Sequence, residues 1–98
     1  RQGRIWDTYE ESVPMSSYLV AFIISDFANI TNENTNFGIW SRPNAIEAAS
    51  YSRNIGEKSL KYLETYTGVD YPLSKMDLVA IPDFAAGAME NWGLVTFR

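Results

Sequence analysis

The sequence predicts an α+β fold, with a β-rich stretch followed by a helix and further strands. Three observations carry this. Residues 18–27 (Y-L-V-A-F-I-I-S-D-F) are dense in β-branched and aromatic side chains. Between Pro43 and Gly68, small and apolar residues recur at helical spacing. Two short apolar runs, 76–81 and 92–97, follow that helix.

Taken in order, residues 1–17 are polar and hold Pro14, with Trp6 and Tyr9 isolated, which suits a loop or a ragged edge strand. Residues 18–27 read as a strand buried on both faces in its middle. The Asn/Thr cluster at 29–36 lacks periodicity and reads as a loop. Phe37-Gly38-Ile39-Trp40 is a second strand, the expected hairpin partner of the first. Pro43 opens a helix, because its missing N–H costs nothing at the first helical position. Ala45, Ala49, Ser52, Gly56, Leu60 and Leu63 share one face of it, with Glu47, Arg53, Glu57 and Lys61 mostly off that face. Gly56 weakens a helix by roughly 1 kcal/mol against Ala, so a close-packed neighbour is expected there. Glu57 and Lys61 stand four apart in the favourable order, worth about 0.2–0.5 kcal/mol. Gly68 stops the helix and Pro72 follows. Residues 76–81 form a strand ended by Pro82, 83–87 a loop, and 88–91 lead into a last strand at 92–97. The change from all-β to mixed pattern at Ser41-Arg42-Pro43 places a domain boundary there, giving units 1–41 and 42–98.

Composition narrows the function. Lys plus Arg number 8 against 12 Asp plus Glu, a net charge of −4, which argues against nucleic acid as a partner. No apolar run approaches the ~18 residues that span a bilayer. With 46% hydrophobic and 20% charged residues, the chain is foldable and not a disordered tail. It has no Cys and no His, so it lacks a disulfide framework, the usual general base and the commonest zinc ligands. It starts Arg1-Gln2-Gly3 and stops at Arg98 directly after a strand-like run, so an internal fragment is expected. Three Trp, six Tyr and five Phe are many for this length, and some are expected to pack against parts not present here.

Asn29-Ile30-Thr31 is an N-glycosylation acceptor triplet, which would imply a secretory or cell-surface setting. Asp77, Asp83 and Glu90 are the acids near the C-terminal end. Spacing alone does not bring them together, and structural roles are expected for Asp77 and Asp83. The string Gly87-Ala88-Met89-Glu90-Asn91-Trp92-Gly93 leaves two readings open. In one, Glu90 is a solvated turn residue. In the other, Gly87 and Ala88 let a peptide approach a sheet edge as an added strand, and Glu90 pairs with a cation on it.

This string carries a resemblance. Gly87-Ala88-Met89-Glu90-Asn91 is identical to the G-A-M-E-N exopeptidase motif of aminopeptidase N type zinc metallopeptidases. Tyr71-Pro72-Leu73-Ser74-Lys75-Met76-Asp77 is similar to that family's Y-P-L-P-K-x-D segment, with Ser74 where Pro is usual. Ile81-Pro82-Asp83-Phe84, Trp92-Gly93-Leu94 and Thr96-Phe97-Arg98 match the segments around the motif, with Phe97 where Tyr is common. Pro14-Met15-Ser16-Ser17-Tyr18-Leu19 resembles the family's P-M-S-T-Y-L. The likeness spans nearly the whole chain in the family's order.

The resemblance implies that residues 1–41 end a β-rich, saddle-like N-terminal domain and that 42–98 begin a thermolysin-like catalytic domain. It implies that Glu90 binds the substrate's free α-amino group. By the same resemblance Gly87 and Ala88 hold the peptide main chain, Met89 shapes the first side-chain pocket, and Asn91 supports the motif. The parent would be a zinc-dependent aminopeptidase acting on peptides with a free N-terminus. Its Zn²⁺, H-E-x-x-H motif and catalytic Tyr would lie downstream, so this piece would hold no catalytic or metal residue and would be inactive alone. A second reading is a zinc-less surface glycoprotein of the same fold, a receptor for toxins or viruses. The implied location is the extracellular face of the plasma membrane, with membrane attachment of the parent. Cytosolic members of the family leave the cytoplasm as the alternative.

Overall fold

The computed structural model describes residues 3–31 and 36–98. It is an α+β structure with one five-stranded sheet of order β1-β2-β3-β5-β4. The strands are β1 (Ala28–Thr31), β2 (Phe37–Ser41), β3 (Met76–Ala80), β4 (Ala88–Met89) and β5 (Leu94–Phe97). The helix α1 (Ser50–Thr67) crosses from β2 to β3, which run parallel. β3 and β5 are also parallel, while β1–β2 and β4–β5 at the two edges are antiparallel. The ladder between β2 and β3 therefore joins residues on both sides of Pro43. No helix among the described residues is long and apolar enough to cross a membrane.

Several elements differ from the sequence expectation. Residues 18–27 do not form a doubly buried strand. Ser17–Leu19 is a 3-10 turn, and the stretch beyond it is irregular. Leu19 is buried, but Val20, Phe22 and Ile24 are exposed. Among the described residues nothing pairs with this stretch, and β-propensity without a ladder leaves backbone N–H and C=O groups unmatched. The hairpin forms one segment later. β1 occupies 28–31, overlapping the start of the stretch expected to be a loop, and pairs Ile30 with Ile39 across from it. The cross-strand partner outweighs the poor strand propensity of Asn29, and the β-branched Ile30 and Thr31 suit the strand. Of the rest of that expected loop, 32–35 lies outside the described residues, and Asn36 is a bend whose carbonyl accepts the Met76 N–H at 2.8 Å.

The helix also starts later than Pro43. The N–H of Ala45 donates to the Arg42 carbonyl at 2.9 Å, closing a turn around Pro43 and Asn44. A second 3-10 turn, Ile46–Ala49, follows, and α1 begins only at Ser50. It ends at Gly68, whose N–H bonds the Glu64 carbonyl. The roll of α1 is set by Gly56. A Cβ there would stand 2.5 Å from the Phe37 ring, so the helix backbone lies directly on that ring. The row inherited from Gly56 at three- and four-residue steps is Arg53, Glu57, Leu60 and Glu64, all half-buried. Ser52 and Leu63, expected on the inner face, are exposed, while Arg53 and Glu57, expected off it, are on it. Glu57 and Lys61 make the expected pair at 3.5 Å.

The final strand is shorter than expected. Trp92 and Gly93 form a turn, and Ala88–Met89 pairs as a strand of its own with β5. The buried apolar residues are Leu19, Phe37, Ile39 and Val79, centred on β2 and β3.

Replacing Gly56 by Ala gains about 1 kcal/mol of helix propensity but overpacks against Phe37, which typically costs about 1–3 kcal/mol. The expected outcome is a net loss of stability, read as a lower denaturation midpoint.

Candidate functional site

The string 87–91 lies at the free edge of the sheet. β4 pairs with β5 through Ala88↔Phe97 and Met89↔Thr96, and nothing among the described residues pairs with its other side. The Arg98 N–H donates to the Gly87 carbonyl at 3.0 Å. Position 87 therefore faces β5. The alternation of an antiparallel ladder then turns the N–H and C=O of Ala88 outward, to the open edge. Gly87 and Ala88 are exposed, and a Cβ at Gly87 would meet nothing within 4 Å. Ala88 and Glu90 share a face in extended backbone, and the half-buried Met89 takes the other. Glu90 is exposed, and its carboxylate makes no hydrogen bond or ion pair among the described residues.

Asn91 is buried and ties the string down. Its Nδ2 donates to the Leu19 carbonyl at 3.1 Å. Its Oδ1 accepts from the Thr96 hydroxyl at 3.3 Å, and its carbonyl accepts the Leu94 N–H at 3.1 Å. The 3-10 turn at 17–19 thus reaches the string across the chain. Next comes Gly93 with φ 77°, a left-handed conformation that favours glycine. A Cβ there would also press to 3.2 Å from the Leu73 side chain.

A second group of residues, not anticipated from the sequence as part of this site, holds that turn. The Gly93 carbonyl accepts from the Asp77 N–H at 3.0 Å and from Lys75 Nζ at 2.9 Å. Lys75 Nζ also bonds Asp77 Oδ2 at 2.8 Å. The Tyr71 hydroxyl donates to the Lys75 carbonyl at 2.9 Å. Burial, and then the nearby Asp77 charge, push the Tyr71 phenol above its usual pKa of 10.0. The signal was present: Lys75 and Asp77 are two apart at the start of a strand, so they share a face. Ser74 donates from its hydroxyl to Glu10 Oε2 at 3.1 Å.

Of the three acids singled out in the sequence, Asp77 is engaged with Lys75, and Asp83 lies exposed in the loop before β4. No three His, Cys, Asp or Glu side chains among the described residues are grouped to hold a metal. With no His or Cys in the chain, its residues do not fit a zinc site. Asn29 is exposed on β1, the opposite edge strand.

The geometry sits within a recognisable lineage. Residues 51–98 match the peptidase family M1 domain. Endoplasmic reticulum aminopeptidase 1 of Homo sapiens is 46% identical over 99% of this chain and 11% of that protein. Glutamyl aminopeptidase of Bos taurus is 44% identical over 96% of the chain and 10% of that protein. Aminopeptidase N of Plutella xylostella is 43% identical over 100% of the chain and 11% of that protein. The chain belongs to peptidase family M1. It spans 10–11% of the length of these relatives.

The raised pKa of Tyr71 has a direction that can be measured. Its stabilising effect is complete below the phenol's ordinary pKa of 10.0 and is lost as pH rises through the raised value. Asp77→Asn removes the second cause and leaves the first. The Tyr71 titration, read as phenolate absorbance against a Tyr71→Phe reference, is expected to move down toward 10.0 without reaching it.

Proposed function

We propose that this chain supplies the substrate-anchoring edge of a zinc-dependent aminopeptidase that releases N-terminal amino acids from peptides. The observation that carries the reading is Glu90, an exposed carboxylate without a bond partner among the described residues, at the end of an open edge strand. A peptide laid along β4 would exchange main-chain hydrogen bonds with the outward N–H and C=O of Ala88, with Gly87 leaving room for its approach. Its α-ammonium would pair with Glu90. Met89 would border the pocket for the first side chain, and Asn91 would hold the string through its bonds to Leu19 and Thr96.

Exopeptidase selectivity follows from this arrangement. A carboxylate at a set place along the edge is satisfied only by a chain that begins there. A peptide continuing past that point, or one with a blocked amine, leaves the carboxylate facing an uncharged amide. The zinc that supplies Lewis-acid chemistry in this reading is held by residues outside this chain. Residues 1–41 are read as the end of the β-rich N-terminal domain and 42–98 as the start of the thermolysin-like catalytic domain, with the β2–β3 ladder stitching the two.

The names of relatives placed in the endoplasmic reticulum, and the exposed Asn29 in its acceptor triplet, support a parent on the secretory side of the membrane. A glycosidase treatment that shifts the mass of the secreted parent, and no longer does so by the same step in an Asn29→Gln variant, is the expected result. An unchanged shift in the variant would remove Asn29 as the attachment point.

The anchor is tested in the full-length parent with an aminoacyl chromogenic substrate. With the bound substrate seated over Glu90 the pair is desolvated, and losing one partner of such a buried, hydrogen-bonded charge pair typically costs about 2–5 kcal/mol. Glu90→Gln is therefore expected to lower kcat/KM by roughly 30- to several-thousand-fold. Equal cleavage of acetylated and free peptides by the unmodified parent would remove the reading.

A further inference from the structure

We propose that Lys75 is a positioning residue for the amine anchor, acting on Glu90 through the turn at Gly93. The proposal rests on the assignment of Glu90 as that anchor. Because the Glu90 carboxylate has no bond of its own among the described residues, only its backbone determines where it stands. That backbone is held at two places. On one side is the two-residue ladder of β4 with β5. On the other is the turn Asn91-Trp92-Gly93.

A two-residue strand at an open edge is a weak restraint, since it has partners on one side only. The turn therefore carries much of the positioning. Asn91 fixes its first residue from within. Gly93 is fixed from outside, by Lys75 just before β3 and Asp77 within it. Its carbonyl receives both the Asp77 N–H and the Lys75 ammonium, at 3.0 and 2.9 Å. Two donors on one carbonyl set the direction of the peptide plane between Gly93 and Leu94, where the turn of the β4–β5 hairpin enters β5. The ammonium is itself pinned 2.8 Å from Asp77 Oδ2, and the Tyr71 hydroxyl holds the Lys75 carbonyl. Lys75 is thus gripped on its main chain and its tip while it grips the turn.

The Lys75 side chain is half exposed. An ion pair so open to water adds little to global stability. Position is another matter, because a shift of about 1 Å in a binding group can cost on the order of a hundredfold in rate. Removing the ammonium is therefore expected to disturb the anchor more than the fold. The Asp77 N–H bond to Gly93 remains in a Lys75 variant, so the turn loosens without being lost.

The test uses the full-length parent, with Lys75→Met, Lys75→Arg and Glu90→Gln assayed side by side on a free-amine aminoacyl substrate. Lys75→Met keeps the apolar stem and deletes the charge. Expected is a fall in kcat/KM of about tenfold, most of it in KM, with the thermal midpoint nearly unchanged. Lys75→Arg, which restores a cationic donor, should recover most of the KM. The proposal is overturned if Lys75→Met leaves KM unchanged while Glu90→Gln weakens it. It is equally overturned if Lys75→Met lowers kcat and the thermal midpoint together and Lys75→Arg recovers neither, which marks a folding residue. If Glu90→Gln itself has no effect, the anchor assignment fails first and the role of Lys75 falls with it.

Discussion

Strand β3 lies between two parallel neighbours, and that ladder places every part of the candidate site. Parallel strands cannot be joined by a tight turn. α1 must cross the sheet to bring β2 beside β3, and the β4 hairpin must return beside β3 as β5. The contact of Gly56 with Phe37 lets α1 sit close enough to make the first crossing compact. On the far side, Asp77 in β3 meets the Gly93 turn just before β5 begins. The edge strand is in this way located by an interior strand two positions removed.

An unpaired sheet edge is a hazard for most proteins, because it templates pairing with other chains. Here β4 is only two residues long, and an acidic side chain follows it. A short edge beside a negative charge discourages chance association, and in the proposed function it would still admit a strand that brings a positive charge. The features that make the edge safe and those that would make it selective are the same. Gly87 leaves its flank open, and Ala88 keeps the bulk small.

The sequence was most legible where residue type and backbone requirement coincide. Gly68 closing α1, the Glu57–Lys61 pair, β3 up to its proline, and the need for a close neighbour at Gly56 could all be read from local chemistry. It misled at residues 18–27, where strand-forming side chains have no ladder to join. It misled again at 28–31, where the Asn/Thr composition suggested a loop but the segment forms a strand because Ile39 lies opposite Ile30. The helix face was turned by a fraction of a turn, since hydrophobicity favoured Leu63 while the contact at Gly56 selected Arg53 and Glu57. At the candidate site, the motif 87–91 was visible as a string. The Lys75–Asp77 pair could be read from its spacing, but its link to Gly93 could not, because that forms only when β3 and β5 come side by side.

By itself the sequence determined the class of the chain, the place of its helix, the absence of His and Cys within it, and the presence of the string 87–91. These depend on residue identity and short-range spacing, which any conformation retains. Tertiary structure alone decided that the string is an open edge, that Ala88 turns its hydrogen-bonding groups outward, and that a lysine before β3 reaches a turn eighteen residues later. Those facts depend on strand order and register, which arise from contacts between residues far apart in the chain.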